Sequence, residues 1–258
     1  MKKELVAARE PKSPISELFR TLRTNIQFMN TKGELKSLLI TSTSPSEGKS
    51  WVSSNLATTF AQAGKKVILV DCDMRKGRLF SIFGTAPVPG LSNYLSGINS
   101  QGEKGDADIL SYVNKTEVEN LYLLPAGNVP PNPSELLVSE KMTETMKKLE
   151  SLCDIVIYDG TPTNLVTDSL IISRNVDSTI IVCAYRQTKI EELEKVKRDI
   201  LNVGGKIAGV VVNKMPIAQK EYYASYYYGQ SSKTSRKRQS SIDFEARIRP
   251  TTRRKAED

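Results

Sequence analysis

The chain has 258 residues, 37 basic and 29 acidic, for a formal charge of +8, with three cysteines and no histidine. The missing histidine excludes a Ser-His-Asp triad, a Cys-His pair, a histidine metal site and a phosphohistidine relay; any general base is Asp, Glu, Lys, Tyr or Cys. No run reaches the roughly 18 apolar residues of a membrane span, and Met1-Lys2-Lys3-Glu4 does not begin a signal peptide, so a cytosolic chain is expected.

In chain order, Ile15, Leu18, Leu22 and Ile26 make one apolar stripe and predict a helix over 15–29, with Pro14 at its start and Glu17 in its first turn. Strand-length apolar runs follow at Ser37–Thr41, Lys66–Val70, Leu121–Leu124, Asp154–Tyr158, Ser178–Cys183 and Lys206–Val212. Helical patterns lie between them at Ser50–Ala63, Pro133–Leu152, Thr167–Arg174 and Thr188–Val203. Several strands are apolar throughout, as strands covered on both faces are. The alternation predicts one α/β domain with a doubly wound, mostly parallel sheet and right-handed crossovers. Residues 97–120 are polar and glycine-rich and predict a surface excursion. Cys72, Cys153 and Cys183 lie in or beside apolar runs without metal or redox spacing, and read as reduced, packed residues.

After Val212 the character changes. Five of the ten tyrosines (Tyr222, Tyr223, Tyr226, Tyr227 and Tyr228) fall within seven residues. Gly229–Asp258 then carries nine basic and four acidic side chains, so residues 1–228 hold only +3 of the charge. The basic balance belongs to a tail expected to be disordered, which disfavours a nucleic-acid-binding face on the domain. The expected organisation is an N-terminal segment (1–35), a core (36–215), the tyrosine cluster (216–230) and the basic tail (231–258).

Thr43-Ser-Pro-Ser-Glu-Gly-Lys-Ser50 follows a strand and opens a helix, the context of a P-loop, although Thr43 stands at the first glycine of G-x4-G-K-[ST]. Helix-start amides and the helix dipole attract phosphate, Gly48 permits close approach, Lys49 reaches the terminal phosphates and Ser50 offers a hydroxyl to Mg²⁺. Asp71 and Asp73 end the second strand and Asp159 ends another, the last at a Walker B position. A lone Asp after a strand is usually a turn residue. Three acids at two strand ends after a GKS loop point to Mg²⁺ and ATP.

This set resembles the deviant-Walker ATPases of partitioning and cell division, and within them the bacterial tyrosine kinases of capsule and exopolysaccharide synthesis. The matching motifs are S-x-P-x-E-G-K-[ST] (Ser44–Ser50), D-x-D-x-R (Asp71, Asp73, Arg75), G-x-x-P-P-N-P-x-E-L-L (Gly127–Leu137), E-x2-R-x2-R (Glu17, Arg20, Arg23) and the tyrosine cluster. Partitioning ATPases would have Lys where this chain has Ser44, and Gly160 stands where the kinases often have Thr. The resemblance implies an ATP- and Mg²⁺-dependent protein-tyrosine autokinase with Lys49, Asp71, Asp73 and Asp159 catalytic. Ser46, Glu47, Gly48, Lys49, Ser50, Trp51, Arg75 and Asn213 would contact the nucleotide; Ser50, Asp71 and Asp159 would organise Mg²⁺. The clustered tyrosines would be phospho-acceptors, and Glu17, Arg20 and Arg23 a ring-forming interface with further copies. Implied partners are a membrane-embedded chain-length regulator, as in the split Gram-positive form, and a cognate phosphotyrosine phosphatase. The residues themselves leave open whether Asp71 or Asp73 is the base, and whether Arg75 meets phosphate or pairs with an acid. A P-loop ATPase switch without tyrosine chemistry is the competing reading.

Overall fold

Strand residues alternate between two cores, and this accounts for the apolar runs. Leu38, Ile40, Leu69, Ile157 and Val182 enter one core; Leu39, Ile68, Val70, Val156 and Tyr158 enter the other. Side chains at successive strand positions point to opposite faces, so a strand covered on both sides carries no polar alternation. A computed structural model describes residues 3–29, 35–98, 103 and 108–216. All of these but Pro216 fall in one unit ending at Met215.

The sheet comprises β1 (Ser37–Ser42), β2 (Val67–Asp71), β3 (Asn114–Lys115), β4 (Leu121–Leu124), β5 (Ile155–Pro162), β6 (Ser178–Ala184) and β7 (Ile207–Asn213). Its order is β3-β4-β2-β5-β1-β6-β7. Every neighbouring pair is parallel except β3 with β4. The expected doubly wound sheet is thus observed, with one antiparallel edge.

On the first face lie α1 (Val6–Arg9), α2 (Pro14–Met29) and α3 (Lys49–Gln62). Helix α3 has no amphipathic stripe: Ser53, Ser54, Thr58 and Thr59 are buried. Their hydroxyls donate to carbonyls three or four residues back, for example Ser54 to Ser50 at 2.6 Å and Thr58 to Ser54 at 2.8 Å. Buried hydroxyls are tolerated when so bonded. Asn55 accepts from the Ala7 amide at 2.9 Å and donates to the Glu4 carbonyl at 2.9 Å, fastening the short α1 to α3.

The remaining helices are α4 (Leu79–Phe83), α5 (Leu91–Ser96), α6 (Pro133–Val138), α7 (Glu140–Leu152), α8 (Asp168–Ser173) and α9 (Ile190–Asn202). The helix expected over Pro133–Leu152 is broken at Ser139, whose extended ψ of 150° ends α6 and whose hydroxyl accepts from the Met142 amide to cap α7. The expected surface excursion is corrected in its second half. A 3₁₀ turn at Ile109–Tyr112 buries Ile109 and Tyr112, and β3 then pairs with β4. Two large side chains outweighed a polar composition there. No described helix is long and apolar enough to cross a membrane.

Candidate active site

Insertion of β5 between β1 and β2 assembles the site. In the β2–β5 pairing Asp71 stands opposite Asp159, and in the β1–β5 pairing Ile40 does. The two acids therefore meet at the carboxyl edge of the sheet beside the loop that leaves β1, the crevice where open parallel sheets bind ligands. β5 continues four residues beyond the expected Tyr158, because Ser42 pairs with Pro162 and the Thr41 hydroxyl bonds the Thr161 carbonyl at 2.7 Å. Gly160 has a packing reason: a Cβ there would lie 2.4 Å from Ser169 Oγ. That hydroxyl accepts from the Thr161 amide and is also 2.7 Å from the Thr161 carbonyl oxygen, joining β5 to α8.

The phosphate loop turns at Gly48, which has φ 98° at the start of α3. A Cβ at Gly48 would sit 2.1 Å from Asn213 Nδ2, so both the backbone angle and the close approach require glycine. Asn213, at the end of β7, donates to the Glu47 carbonyl at 2.8 Å. Ser46 also lies in the left-handed region, at φ 63°. The loop leads into the first turn of α3, where orphan amides and the helix dipole suit phosphate oxygens.

Lys49 projects to the acids. Its Nζ donates to Asp73 Oδ2 at 3.3 Å and lies 3.4 Å from Ser50 Oγ. Burial works against its charge, but attraction to Asp159, Asp73 and Asp71 prevails and raises its pKa. Asp71 is wholly buried and accepts from the amides of Asp73 (3.2 Å) and Leu79 (3.0 Å). Burial first, and then repulsion from Asp159, pushes its pKa up to about 7. Asp73 caps its own turn, accepting from the Lys76 amide at 2.9 Å.

Asp159 is the anomaly. It is 1% exposed, and neither carboxylate oxygen has a hydrogen-bond partner among the described residues. Burial raises its pKa; Lys49 and the nearby Ser50 and Ser53 hydroxyls oppose that rise, although neither hydroxyl reaches hydrogen-bond geometry. An orphaned buried carboxylate beside Asp71, Ser50 and Lys49 fits a cation. No cluster of three acidic, cysteine or histidine ligands occurs among the described residues. The Asp71 and Asp159 carboxylates fit Mg²⁺, which takes one or two carboxylates and completes its shell with water and phosphate.

A family model described as an AAA domain matches residues 36–208. The putative tyrosine-protein kinase CapB of Staphylococcus aureus is 41% identical over 221 residues, covering 86% of this chain and 93% of CapB. The chain belongs to the bacterial tyrosine-protein kinases of capsule and exopolysaccharide synthesis. The tyrosine-protein kinase wzc of Salmonella typhimurium is 36% identical over 234 residues, 89% of this chain but 31% of wzc. The crystal structure of the chimerical protein CapA2B2 superposes with a TM-score of 0.77 at 36% identity, covering 84% of this chain and 92% of that one.

The other expected kinase site residues in the described chain bond or pack against protein groups. The Arg75 guanidinium pairs with Asp168 at 3.2 Å, and Ser134 donates to the same carboxylate at 2.6 Å. Arg75 thus meets an acid, and that acid is completely buried at the start of α8. Trp51 packs edge-to-face on Phe19 of α2, with ring centroids 5.1 Å apart. In α2, Arg20 pairs with Glu17 and donates to the Pro11 carbonyl, while Arg23 donates to the Thr59 carbonyl of α3 at 2.8 Å. The tyrosine cluster and the basic tail lie outside the described residues.

Asp168 escaped the sequence reading because an acid in a helix's first turn is ordinary. Its side chain is 0% exposed and that of Arg75 is 40% exposed, which makes their variants unequal. Arg75→Ala strands a buried charge and is expected to cost about 3 kcal/mol. Asp168→Ala strands a cation that water still reaches and is expected to cost about 1 kcal/mol. Urea midpoints check the ranking; equal losses would show that Ser134 alone satisfies Asp168.

Proposed function

We propose that this kinase transfers phosphate from Mg·ATP to its own tyrosines Tyr222, Tyr223, Tyr226, Tyr227 and Tyr228, in trans within a ring-like oligomer, and so regulates capsular or exopolysaccharide synthesis and export. The observation that carries the site is the unpartnered Asp159 carboxylate, set against Asp71 and facing Lys49.

Phosphoryl transfer asks mainly for positioning and charge neutralisation. The loop at 46–50 holds the phosphates on its amides, and Lys49 leaves Asp73 to meet them. Ser50, Asp71 and Asp159 would hold Mg²⁺, which when bound would neutralise charge on the phosphates. A tyrosine hydroxyl has an ordinary pKa of about 10 and needs a proton acceptor. The Asp71–Asp73 pair supplies it, and comparing the pH profiles of Asp71→Asn and Asp73→Asn assigns the role within the pair. Asn213 adjoins the loop, where it would contact the nucleotide.

Glu17 and Arg20 lie on the half-exposed side of α2, where a neighbouring copy can exchange their local pairing. The proposed setting is cytoplasmic, at the inner face of the membrane, through the cytoplasmic segment of a chain-length regulator. A phosphotyrosine phosphatase resets the cluster. Each phosphate adds about −1.5 to −2 charges, so a heavily modified cluster repels itself and undocks.

Incubating the purified chain with Mg·ATP and the regulator's cytoplasmic segment, then probing for phosphotyrosine, tests the reading. ATP turnover with no phosphate on tyrosine would identify a nucleotide switch instead. Replacing the five tyrosines by Phe is expected to remove most of the phosphotyrosine signal and leave ATP binding intact. Undiminished labelling would place the acceptors elsewhere.

A further inference from the structure

We propose that Glu47 is a positioning residue that clips the phosphate loop to the β6–α9 turn, and not a ligand of the nucleotide. The inference rests on the reading of residues 43–50 as the loop that holds ATP. Glu47 is 5% exposed, yet no salt bridge to a cation is found for it among the described residues. Its carboxylate is occupied by donors from two directions. The Thr43 hydroxyl lies 2.7 and 2.8 Å from its two oxygens, and the Ser44 amide donates to Oε2 at 2.8 Å. From the turn after the neighbouring strand β6, the Thr188 hydroxyl donates to Oε1 and in turn accepts from the Ala184 amide at 2.8 Å.

A carboxylate accepts about four hydrogen bonds in all, and a buried one bonded in this way has little capacity left for a ligand. Its position also accounts for Thr43 at the first glycine of the motif: that hydroxyl is one of the donors. The Glu47 main chain is held as well, its carbonyl accepting from Asn213 at 2.8 Å. The loop is therefore fastened at the end of β6 through Thr188 and at the end of β7 through Asn213. Both fasteners lie more than a hundred residues away in sequence. The consequence is a loop whose amides are aimed before the nucleotide arrives, so that binding does not have to order it.

Thr188 discriminates the two roles, because it belongs to the clip and not to the P-loop. The test uses the full chain and the variants Glu47→Ala, Glu47→Gln, Thr188→Val and Thr188→Ser. Hydrogen exchange of amides 43–50 is followed without nucleotide, and Mg·ADP affinity is measured by calorimetry. Thr188→Val is expected to speed exchange across 43–48 and weaken Mg·ADP by about tenfold, the loss of one buried hydrogen bond. Thr188→Ser, which keeps the hydroxyl, behaves like the parent. Glu47→Gln lies between the parent and Glu47→Ala. The double variant Glu47→Ala/Thr188→Val is no weaker than Glu47→Ala alone, since both belong to one network.

Parent-like exchange and affinity in folded Thr188→Val overturn the proposal. So does a loss in Glu47→Ala that adds fully to that of Thr188→Val, as a direct ligand would give. If the parent itself bound no Mg·ADP, the kinase reading would fail while the exchange data still judged the clip.

Discussion

Asp159→Asn is expected to melt above the parent at pH 8 in nucleotide-free protein, and to lose phosphoryl transfer by at least about 100-fold. Both effects have one cause, a carboxylate held away from water without a hydrogen bond. Burial raises its pKa above the ordinary 3.8. A raised folded-state pKa means that the folded chain binds the proton more tightly than the unfolded chain. The resulting stability is fully present below pH 3.8 and is lost as pH rises through the folded value. As pH rises through that folded value the parent takes on a buried charge, and the amide does not. The advantage of the variant therefore shrinks as the pH falls toward 4. Each tenfold gain in proton affinity on folding corresponds to about 1.4 kcal/mol, and each kcal/mol moves the melting point by about 2–4 °C at this size. Melts at pH 5, 6 and 8 in chelator check the sign, and phosphotyrosine formation checks the activity. A variant that melts below the parent at pH 8 would show that attraction to Lys49 outweighs desolvation.

Lys49→Met has the opposite sign on stability and the same sign on activity. Lys49 is the cation facing Asp71, Asp73 and Asp159, and all three raise its pKa. Without it the acids repel one another in a buried setting, and the Asp71 pKa, already near 7, rises further. Removing one partner from a buried charge cluster costs about 3 kcal/mol. The loss is largest at pH 8 and shrinks on acidification, because protonated acids need no counter-charge. Phosphoryl transfer is expected to fall on the order of 10²–10³-fold or more, since in the proposed mechanism the side chain also neutralises charge developing on the phosphates. Urea denaturation at pH 8 and pH 5.5 reads the first effect. Adding Asp159→Asn to Lys49→Met is expected to restore part of the stability and none of the activity. Equal stability of parent and Lys49→Met at both pH values would mean that the three acids share a proton rather than depend on the lysine.

Much of the fold was legible because β1, β2, β4 and β6 are covered on both faces. β1, β2, β4, β6 and β7 stand close to their apolar runs, and α2, α3 and α9 close to their periodic segments. The misses have local causes. The Ser139 cap split a helix that periodicity read as continuous. Ile109 and Tyr112 drew a polar segment back to the sheet. β5 ran on because Thr41 and Ser42 bind its extension.

Sequence by itself determined the chemistry available: no histidine, a GKS loop after a strand, acids at two strand ends, and a motif set that placed the chain in its family. Those are properties of residues near one another in the chain. Tertiary structure alone decided which groups meet. Asp71 faces Asp159 only because β5 lies between β1 and β2, and strand order is set by packing rather than by any local signal. Likewise Arg75 meets Asp168 rather than standing free, and Glu47 meets Thr188. In both pairs a carboxylate leaves water, and a buried carboxylate must find donors wherever the fold brings them.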